Sequence, residues 1–424
     1  FSVGMRLRVP FGKGERIAVL VEIVAKSEVS PALLKPVKEV LDRQPLLRAV
    51  DIKFLRWVAA YYQHPSGEVI QAALPTRLRK GETLVRRVET AWQLTESGKL
   101  ADLNDFRRSP RQKELMAFLQ QQQGPVRRSR INQEFEACQS IIKALLEKGL
   151  IESCELPVDP ELTSNRTEAP ELKHQPAAVV DAILGLDSFL VSLLHGMTGS
   201  GKTEVYLAIT NAVLSRGLQV LVLVPEIALT PQLLERFQQR VSEPMVAMHS
   251  GLSEADRSFA WQQAREGKAR VVIGTRSAVF TPMPDLGMII IDEEHDLSYK
   301  QQEGFRYSAR DMAVALGKRE NCPVLLGSAT PSFESLQNVV RGNYQLLKLT
   351  ERAGNAVLPI IDLIDIRSVR LDGGFSPVTR RLVSEELQKD HQVMVFINRR
   401  GFAPVLTCHD CGWVAQCHRC DARM

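Results

Sequence analysis

The feature that most constrains this chain of 424 residues is the stretch from Phe189 to Thr203, an apolar run ending in Gly196 and followed by Gly201-Lys202-Thr203. The spacing is G-x-x-x-x-G-K-[ST], in which a strand gives way to a loop whose backbone N–H groups cradle phosphates. Glycines let that backbone curl round an anion, and a helix opening near Gly201 aims the positive end of its dipole at it. Lys202 then reaches the β- and γ-phosphates of a nucleotide and the Thr203 hydroxyl ligates Mg²⁺. The nucleotide-contacting residues expected here are Gly196, Thr198, Gly199, Ser200, Gly201, Lys202, Thr203 and Glu204. A glycine-rich turn can also bind nothing, but a strand before it, a helix after it and an acidic partner downstream argue otherwise.

From about residue 172 to 350, short apolar runs alternate with helical patterns: Val191 to Leu194, Val220 to Val224, Val271 to Ile273, Met288 to Ile291 and Val324 to Leu326. Runs this continuous are buried on both faces, which predicts a doubly wound parallel sheet covered by helices, with ligand outside the carboxyl ends of its strands. The length calls for two to four units, and 44% hydrophobic against 24% charged residues excludes a disordered chain. A net charge of +5 is too small for this length to name a partner. No run of about 18 apolar residues and no basic-then-apolar opening occurs, so no membrane association is expected and the default is a soluble cytoplasmic protein.

The first 80 or so residues read as a small β-rich unit: Met5 to Val9, a turn at Pro10 to Gly14, and a second strand over Arg16 to Val24. Arg6, Arg8, Lys13 and Arg16 suit either a phosphate-facing surface or a solvated strand face, and charge alone does not separate the two. An amphipathic helix from Lys53 to Tyr62 is expected to put Trp57, Tyr61 and Tyr62 into a core. Residues 81–157 turn helical, starting at Ser109-Pro110, where Ser caps and Pro fits the first turn. Three helices and the strand Leu150 to Leu156 resemble a winged helix, a form that serves DNA and protein binding alike. Residues 158–171 read as a linker, 172–350 as the nucleotide-binding lobe, and 351–424 as the start of a second lobe with a strand over Gln392 to Ile397.

At the end of the Met288 to Ile291 run stands Asp292-Glu293-Glu294-His295, about ninety residues beyond the phosphate loop. Asp292 is placed to hold Mg²⁺ and Glu293 to polarise the water that attacks the γ-phosphoryl group, while Gly327 to Pro331 ends the next run with hydroxyls able to sense the phosphate state. These stretches resemble the first motor lobe of superfamily 2 nucleic-acid helicases. With Arg8 to Gly12, Met197 to Tyr206, Val224 to Gln232, His249 to Ser253, Ile273 to Phe280, Tyr299 to Tyr307 and Asn398 to Pro404, the whole chain is similar to the primosomal protein N′ family.

That resemblance implies a RecA-like motor lobe preceded by a β-rich DNA-binding domain and a winged helix, with a truncated second RecA-like lobe. It implies an ATP-dependent 3′ to 5′ DNA helicase that recognises and remodels stalled or abandoned replication forks and starts primosome assembly. A fork-binding scaffold switched by ATP, or another superfamily 2 translocase, is the alternative. Expected partners are forked and single-stranded DNA, primosome proteins, single-stranded DNA-binding protein and the machinery that loads the replicative helicase, in a nucleoid-associated setting. The resemblance assigns Gln175 to the adenine edge, although alone it reads as a surface residue. It places a DNA 3′ end at Gly12 and Lys35, a single strand along Pro225, Glu226, Thr230, His249 to Gly251, Thr275, Arg276 and Ser277, and unpaired bases on an aromatic-rich loop bearing Tyr299, Phe305, Arg306 and Tyr307.

Seven cysteines divide unevenly. Cys138, Cys154 and Cys322 are isolated packing residues, while Cys408, Cys411, Cys417 and Cys420 form two C-x-x-C knuckles of the kind that hold Zn²⁺. The resemblance implies two zinc ions, each completed by cysteines beyond Met424, so neither site is expected to be complete here. It likewise implies missing strands before Phe1, an incomplete 3′-end pocket, and a chain that by itself binds nucleotide weakly and turns it over little.

Overall fold

In the computed structural model, the residues described are 1–83, 88–106, 109–122, 124–135, 138–157, 172–226, 229, 231–351, 360–396, 408, 411 and 413–415. The expected linker at 158–171 lies outside them. Two units separate, one up to Gly354 and one from Asn355.

The first strands, β1 (Arg6–Phe11) and β2 (Gly14–Val19), form a hairpin in which Phe11 faces Gly14 across Gly12, whose φ of +59° is a conformation glycine adopts freely. A short β3 (Glu39–Val40) adds to β1. Arg6 is neither solvated nor free for phosphate. It is buried against Asp42 at 2.7 Å and donates to the carbonyls of Leu78 and Glu82, because a side chain pointing inward from β1 keeps its charge only with a full set of acceptors. β2 stops at Val19, five residues short of the expected end.

The helix expected from Lys53 starts earlier, at Ala49, and runs to Tyr61. Its core face is Ile52, Phe54, Leu55, Val58 and Ala59, and the expectation that Trp57 and Tyr61 are core is overturned. They are 47% and 61% exposed and stack on each other at 5.3 Å, because the helical turn places them on the flank away from the buried face. Tyr62 alone of the three is drawn inward.

A second small sheet holds β4 (Val88–Leu94) between β5 (Val126–Arg127) and β6 (Ile151–Pro157). Helices Pro110–Gln120, Arg128–Glu134 and Gln139–Glu147 close its core round Trp92, Leu115, Met116, Ile131 and Leu145. Pro110 occupies the first helical position, but Ser109 makes no side-chain cap, since its φ of −139° and ψ of 73° turn the hydroxyl away from the helix N–H groups.

The largest sheet has seven parallel strands: β7 (Val191–Gly196), β8 (Gln219–Leu223), β9 (Met245–Met248), β10 (Val271–Gly274), β11 (Leu286–Ile291), β12 (Val324–Ser328) and β13 (Tyr344–Leu349). Their order is β13-β7-β12-β11-β8-β10-β9. Ile289, Ile290 and Ile291 are fully buried, alternating between the two covered faces, at about 1.5–3 kcal/mol of transfer free energy each. The edge strands are less deeply buried: half-buried and buried positions alternate in β9, and Gln345 and Lys348 interrupt the apolar residues of β13.

The N-terminal unit packs on one face of this sheet: Leu47, Ile52 and Leu55 share a core with Trp261, Val279 and Met312. Trp261 Nε1 donates to the Ala73 carbonyl at 2.9 Å, Arg265 holds the Leu46 carbonyl at 2.7 Å, and Arg48 pairs with Glu320 at 2.8 Å.

In the second unit, helix Pro377–Leu387 is capped by Ser376, whose Oγ accepts from Thr379 N at 3.1 Å. The strand expected over Gln392 to Ile397 is not formed at residues 392–396, and Ile397 lies outside the described residues. Among the described residues of this unit no neighbouring strand pairs with it, and an apolar run without a ladder partner has nowhere to place its N–H and C=O groups. No described helix is long and apolar enough to cross a membrane.

Candidate nucleotide site and nucleic-acid surface

All the chemistry-bearing segments leave the carboxyl ends of the large sheet. β7 delivers the phosphate loop, β11 the acidic residues, and β12, which lies between them, Ser328. Two strand spacings of roughly 4.8 Å separate the loop from the acids, a gap a lysine can span. Helix Lys202–Ser215 opens directly after Gly201, so the lysine side chain is buried across that gap. Its Nζ donates to the Gly196 carbonyl at 2.9 Å and lies 3.7 Å from Glu293 Oε1. Lys202 and the acidic pair therefore face one another.

The loop fits an anion. Ser200 Oγ is buried with no hydrogen-bond partner among the described residues. Gly199 and Gly201 take φ of +79° and +94°, and a Cβ on Gly196 would sit 2.6 Å from Ser200 Oγ. A cradle closed to larger side chains, carrying an unused buried donor and a lysine at a helix N-terminus, is arranged for phosphate oxygens. Thr198 and Gly199 stand exposed at its rim, and Thr203 is half-buried in the first helical turn.

The acidic segment divides by direction. Asp292 Oδ1 accepts from the Tyr206 hydroxyl at 2.9 Å. Burial raises the Asp292 pKa, Tyr206 opposes the rise, and the Glu293 charge adds to it. A carboxylate that is costly to ionise gains from a cation placed beside it. Glu293 turns toward Lys202 through an unusual φ of +44°. Glu294 points the opposite way and is buried, accepting from Ser332 N at 2.7 Å, Ser335 Oγ at 2.8 Å, Ser332 Oγ at 2.9 Å and Arg310 Nη1 at 3.1 Å. His295 Nδ1 meets Ser328 Oγ at 2.8 Å and its Nε2 meets Thr330 Oγ1 at 3.3 Å, so the hydroxyls after β12 contact the acidic segment directly.

Two residues of the expected nucleotide set are engaged with protein neighbours. Glu204 pairs with Arg236 and Arg240 on the neighbouring helix Pro231–Arg240, bracing it rather than pointing into the loop. The Gln175 amide is engaged with Thr350 and Glu351, donating to Thr350 Oγ1 at 2.9 Å and accepting from Thr350 N at 2.9 Å.

The nucleic-acid candidates are spread along the same sheet edge and the N-terminal unit. Thr275 is buried, Ser277 exposed, and Arg276 Nη1 donates to the Ser298 carbonyl at 2.9 Å, tying the end of β10 to the aromatic loop. Pro225 is buried and Glu226 exposed; His249 and Ser250 offer their carbonyls to Arg257 Nη2 at 3.1 and 3.2 Å; Thr230 lies outside the described residues. Gly12 and Lys35 are exposed. Of the four candidates on the aromatic loop, Arg306 is exposed in this conformation, whereas Tyr299, Phe305 and Tyr307 are buried. Phe305 and Tyr307 pack at 4.8 Å on each other and against Phe280, and burial pushes the Tyr307 pKa up to about 12. The rings close over one another because a loop this rich in aromatics buries more apolar area by self-packing than it leaves in water.

Of the cysteine knuckles, Cys408 and Cys411 are described, and Cys417 and Cys420 lie outside the described residues. Among the described residues no group of three or more His, Cys, Asp or Glu side chains is placed to hold a metal ion.

Sequence reasoning missed Tyr206, and it assigned Tyr299 to unpaired bases without foreseeing its contact with the acidic segment. Tyr206 stands four residues after Lys202 on one helix face, and that i to i+4 spacing was the available signal. Tyr299 Oη donates to the Asp292 carbonyl at 2.7 Å, joining the aromatic loop to the acidic segment from beneath.

Comparison with known proteins follows the same divisions. Residues 1–75 match the model of the PriA 3′ DNA-binding domain, 90–153 that of the primosomal protein N′-like winged helix, and 173–339 that of the DEAD/DEAH box helicase. The chain is 42% identical to replication restart protein PriA of Haemophilus influenzae, over 99% of this chain and 58% of that protein. It is 31% identical to replication restart protein PriA of Bacillus subtilis, over 100% of this chain and 62% of that one. The chain thus spans about three fifths of the length of these relatives. Among solved structures, RecG bound to a three-way DNA junction aligns over 51% of this chain and 26% of that one, with 18% identity and a TM-score of 0.35.

Proposed function

This chain belongs to the replication restart protein PriA family, and we propose that it contributes the nucleotide-binding half of an ATP-dependent 3′ to 5′ DNA helicase that remodels stalled or abandoned replication forks and initiates primosome assembly. The observation that carries this reading is Lys202 Nζ 3.7 Å from Glu293 Oε1, across a loop with an unused buried donor.

Lys202 and the loop N–H groups hold the nucleotide phosphates, with Ser200 available as a further donor. Thr203 and Asp292 are the ligands for Mg²⁺, which when bound supplies charge neutralisation at those phosphates. Glu293 orients the attacking water. His295, bonded to Ser328 and Thr330, passes the state of that site to the segment after β12. Gln175 reads the adenine edge by exchanging its bonds to Thr350.

Gly12 and Lys35 receive the 3′ end of a DNA strand, and Thr275, Arg276 and Ser277 hold backbone phosphates. Arg306 is exposed for contact as it stands, whereas Tyr299, Phe305 and Tyr307 reach bases once their loop opens. Primosome proteins, single-stranded DNA-binding protein and the replicative-helicase loader are the partners this role implies, in a cytoplasmic, nucleoid-associated setting. Zinc at Cys408, Cys411, Cys417 and Cys420, within two sites of the full-length protein, is part of the same proposal and is checked by metal analysis.

The test is hydrolysis and strand separation by the full-length protein on forks with and without a free 3′ leading-strand end. Stimulation by forked DNA and unwinding from 3′ tails are expected. Fork binding with no nucleotide turnover would leave only a scaffold.

A further inference from the structure

Two ends of the aromatic loop are tied to different parts of the molecule. At one end Tyr299 Oη donates to the Asp292 carbonyl at 2.7 Å. At the other, Ser308 N donates at 3.0 Å to the hydroxyl of Tyr62, a residue of the N-terminal unit 246 positions away. The ends are joined by the antiparallel bridge between Lys300 and Ser308, and Lys300 Nζ donates to the Arg306 carbonyl at 2.8 Å. Tyr62 also meets Phe305 edge-on at 5.7 Å, the His64 ring lies 5.2 Å from the same phenyl, and Lys300 Nζ sits 5.4 Å from the Tyr62 ring centre. The buried arrangement of the loop is therefore held from the N-terminal unit as well as by Phe280 and Arg276 beneath it.

We propose that Tyr62 is a positioning residue that clamps the aromatic loop shut, so that the N-terminal unit governs how readily the loop opens to unpaired bases and, through Tyr299, how Asp292 is set. The proposal rests on the helicase reading for its DNA and nucleotide consequences. It depends on Tyr62 and His64 specifically, because the docking of the N-terminal unit is held elsewhere by Trp261, Arg265 and Arg48. A change at Tyr62 therefore frees the loop without undocking the unit. Opening exposes Phe305 and Tyr307, whose faces then stack on bases instead of on each other.

The clamp is tested with Tyr62→Phe in the full-length protein, a variant that keeps the ring and removes only the acceptor of the Ser308 N–H. Hydrogen exchange without nucleotide or DNA is expected to quicken about fivefold over residues 299–308, the worth of one ordinary hydrogen bond, and to stay unchanged over helix Ala49–Tyr61. The concentration of single-stranded DNA giving half-maximal stimulation of hydrolysis should fall by a similar factor, since less is spent on opening the loop. His64→Ala, which removes a ring contact with Phe305, should move both readouts the same way. Unchanged exchange at 299–308, or faster exchange spread evenly through the N-terminal unit, overturns the clamp. Faster loop exchange with no change in the DNA midpoint overturns the coupling. If the wild-type protein hydrolyses nothing, the helicase reading fails while the exchange comparison still decides the clamp.

Discussion

Replacing Glu294 separates the folding role of the acidic segment from its chemical one. Four hydrogen bonds converge on this buried carboxylate, from Ser332 N, Ser332 Oγ, Ser335 Oγ and Arg310 Nη1, at 2.7 to 3.1 Å. Glu294→Ala orphans the Ser332 N–H and takes from Arg310 its buried partner, leaving it the more exposed Asp311 and Glu334. Removing one member of a buried ion pair costs about 3–5 kcal/mol, and the orphaned amide is not added separately because both losses share one cavity. Glu294→Gln keeps the shape and the bond from Ser332 N, and the serine hydroxyls can rotate to accept from its amide, but that amide faces the Arg310 Nη1 donor, so about 1.5–3 kcal/mol is expected. The assay is urea unfolding followed by tryptophan fluorescence, with Trp261 buried where the N-terminal unit meets the large sheet, alongside titration with a fluorescent nucleotide. Glu294→Gln should bind nucleotide within about twofold of wild type, as expected for a side chain pointing away from Lys202. A Glu294→Ala protein as stable as wild type that had lost nucleotide binding would refute the division of the segment.

Lys202→Ala should weaken nucleotide binding by roughly tenfold or more, the worth of a charge-assisted hydrogen bond, with unfolding midpoints little changed; equal affinity would remove the phosphate loop from the binding account. Gly327→Ala should destabilise by about 1–3 kcal/mol through overpacking, because its Cβ would fall 1.7 Å from the Tyr206 hydroxyl, and Tyr206→Phe should recover part of the loss; equal costs in both backgrounds would disprove the contact. Burial pushes the Cys322 pKa up to about 12. The thiolate is the reactive form, so at pH 8 only about one part in ten thousand is ionised and reactivity rises with pH. Alkylation of Cys322 at pH 8 should therefore be slow in the folded protein and fast in urea, and rapid labelling of the native state would contradict its burial.

The inner strands and the phosphate loop were legible because they depend on local rules. Val191 to Leu194 and Met288 to Ile291 announce burial on both faces through unbroken apolar runs, and the G-x-x-x-x-G-K-[ST] spacing states a backbone shape. The edge strand β13 escaped because Gln345 and Lys348 break its apolar run, and β9 because a run of only four residues, Met245 to Met248, does not by itself distinguish a strand from a helix segment. Gln392 to Val395 carries a strand-like pattern but pairs with no described strand, and a ladder is a property of two segments rather than one.

From its residues alone the chain settles that a nucleotide-type loop and an acidic segment leave one parallel sheet, since both are written in short stretches whose spacing maps onto strand ends. Which acid faces Lys202 and which braces Arg310 is a matter of direction at the end of a strand, where one positive φ at Glu293 sends neighbouring side chains opposite ways. The exposure of Trp57 and Tyr61, the burial of Arg6, and the closure of Phe305 and Tyr307 against Tyr62 were likewise decided only by packing between segments far apart in the chain. An aromatic or an arginine is equally at home inside or outside until its neighbours are in place, and those neighbours are supplied by the tertiary fold.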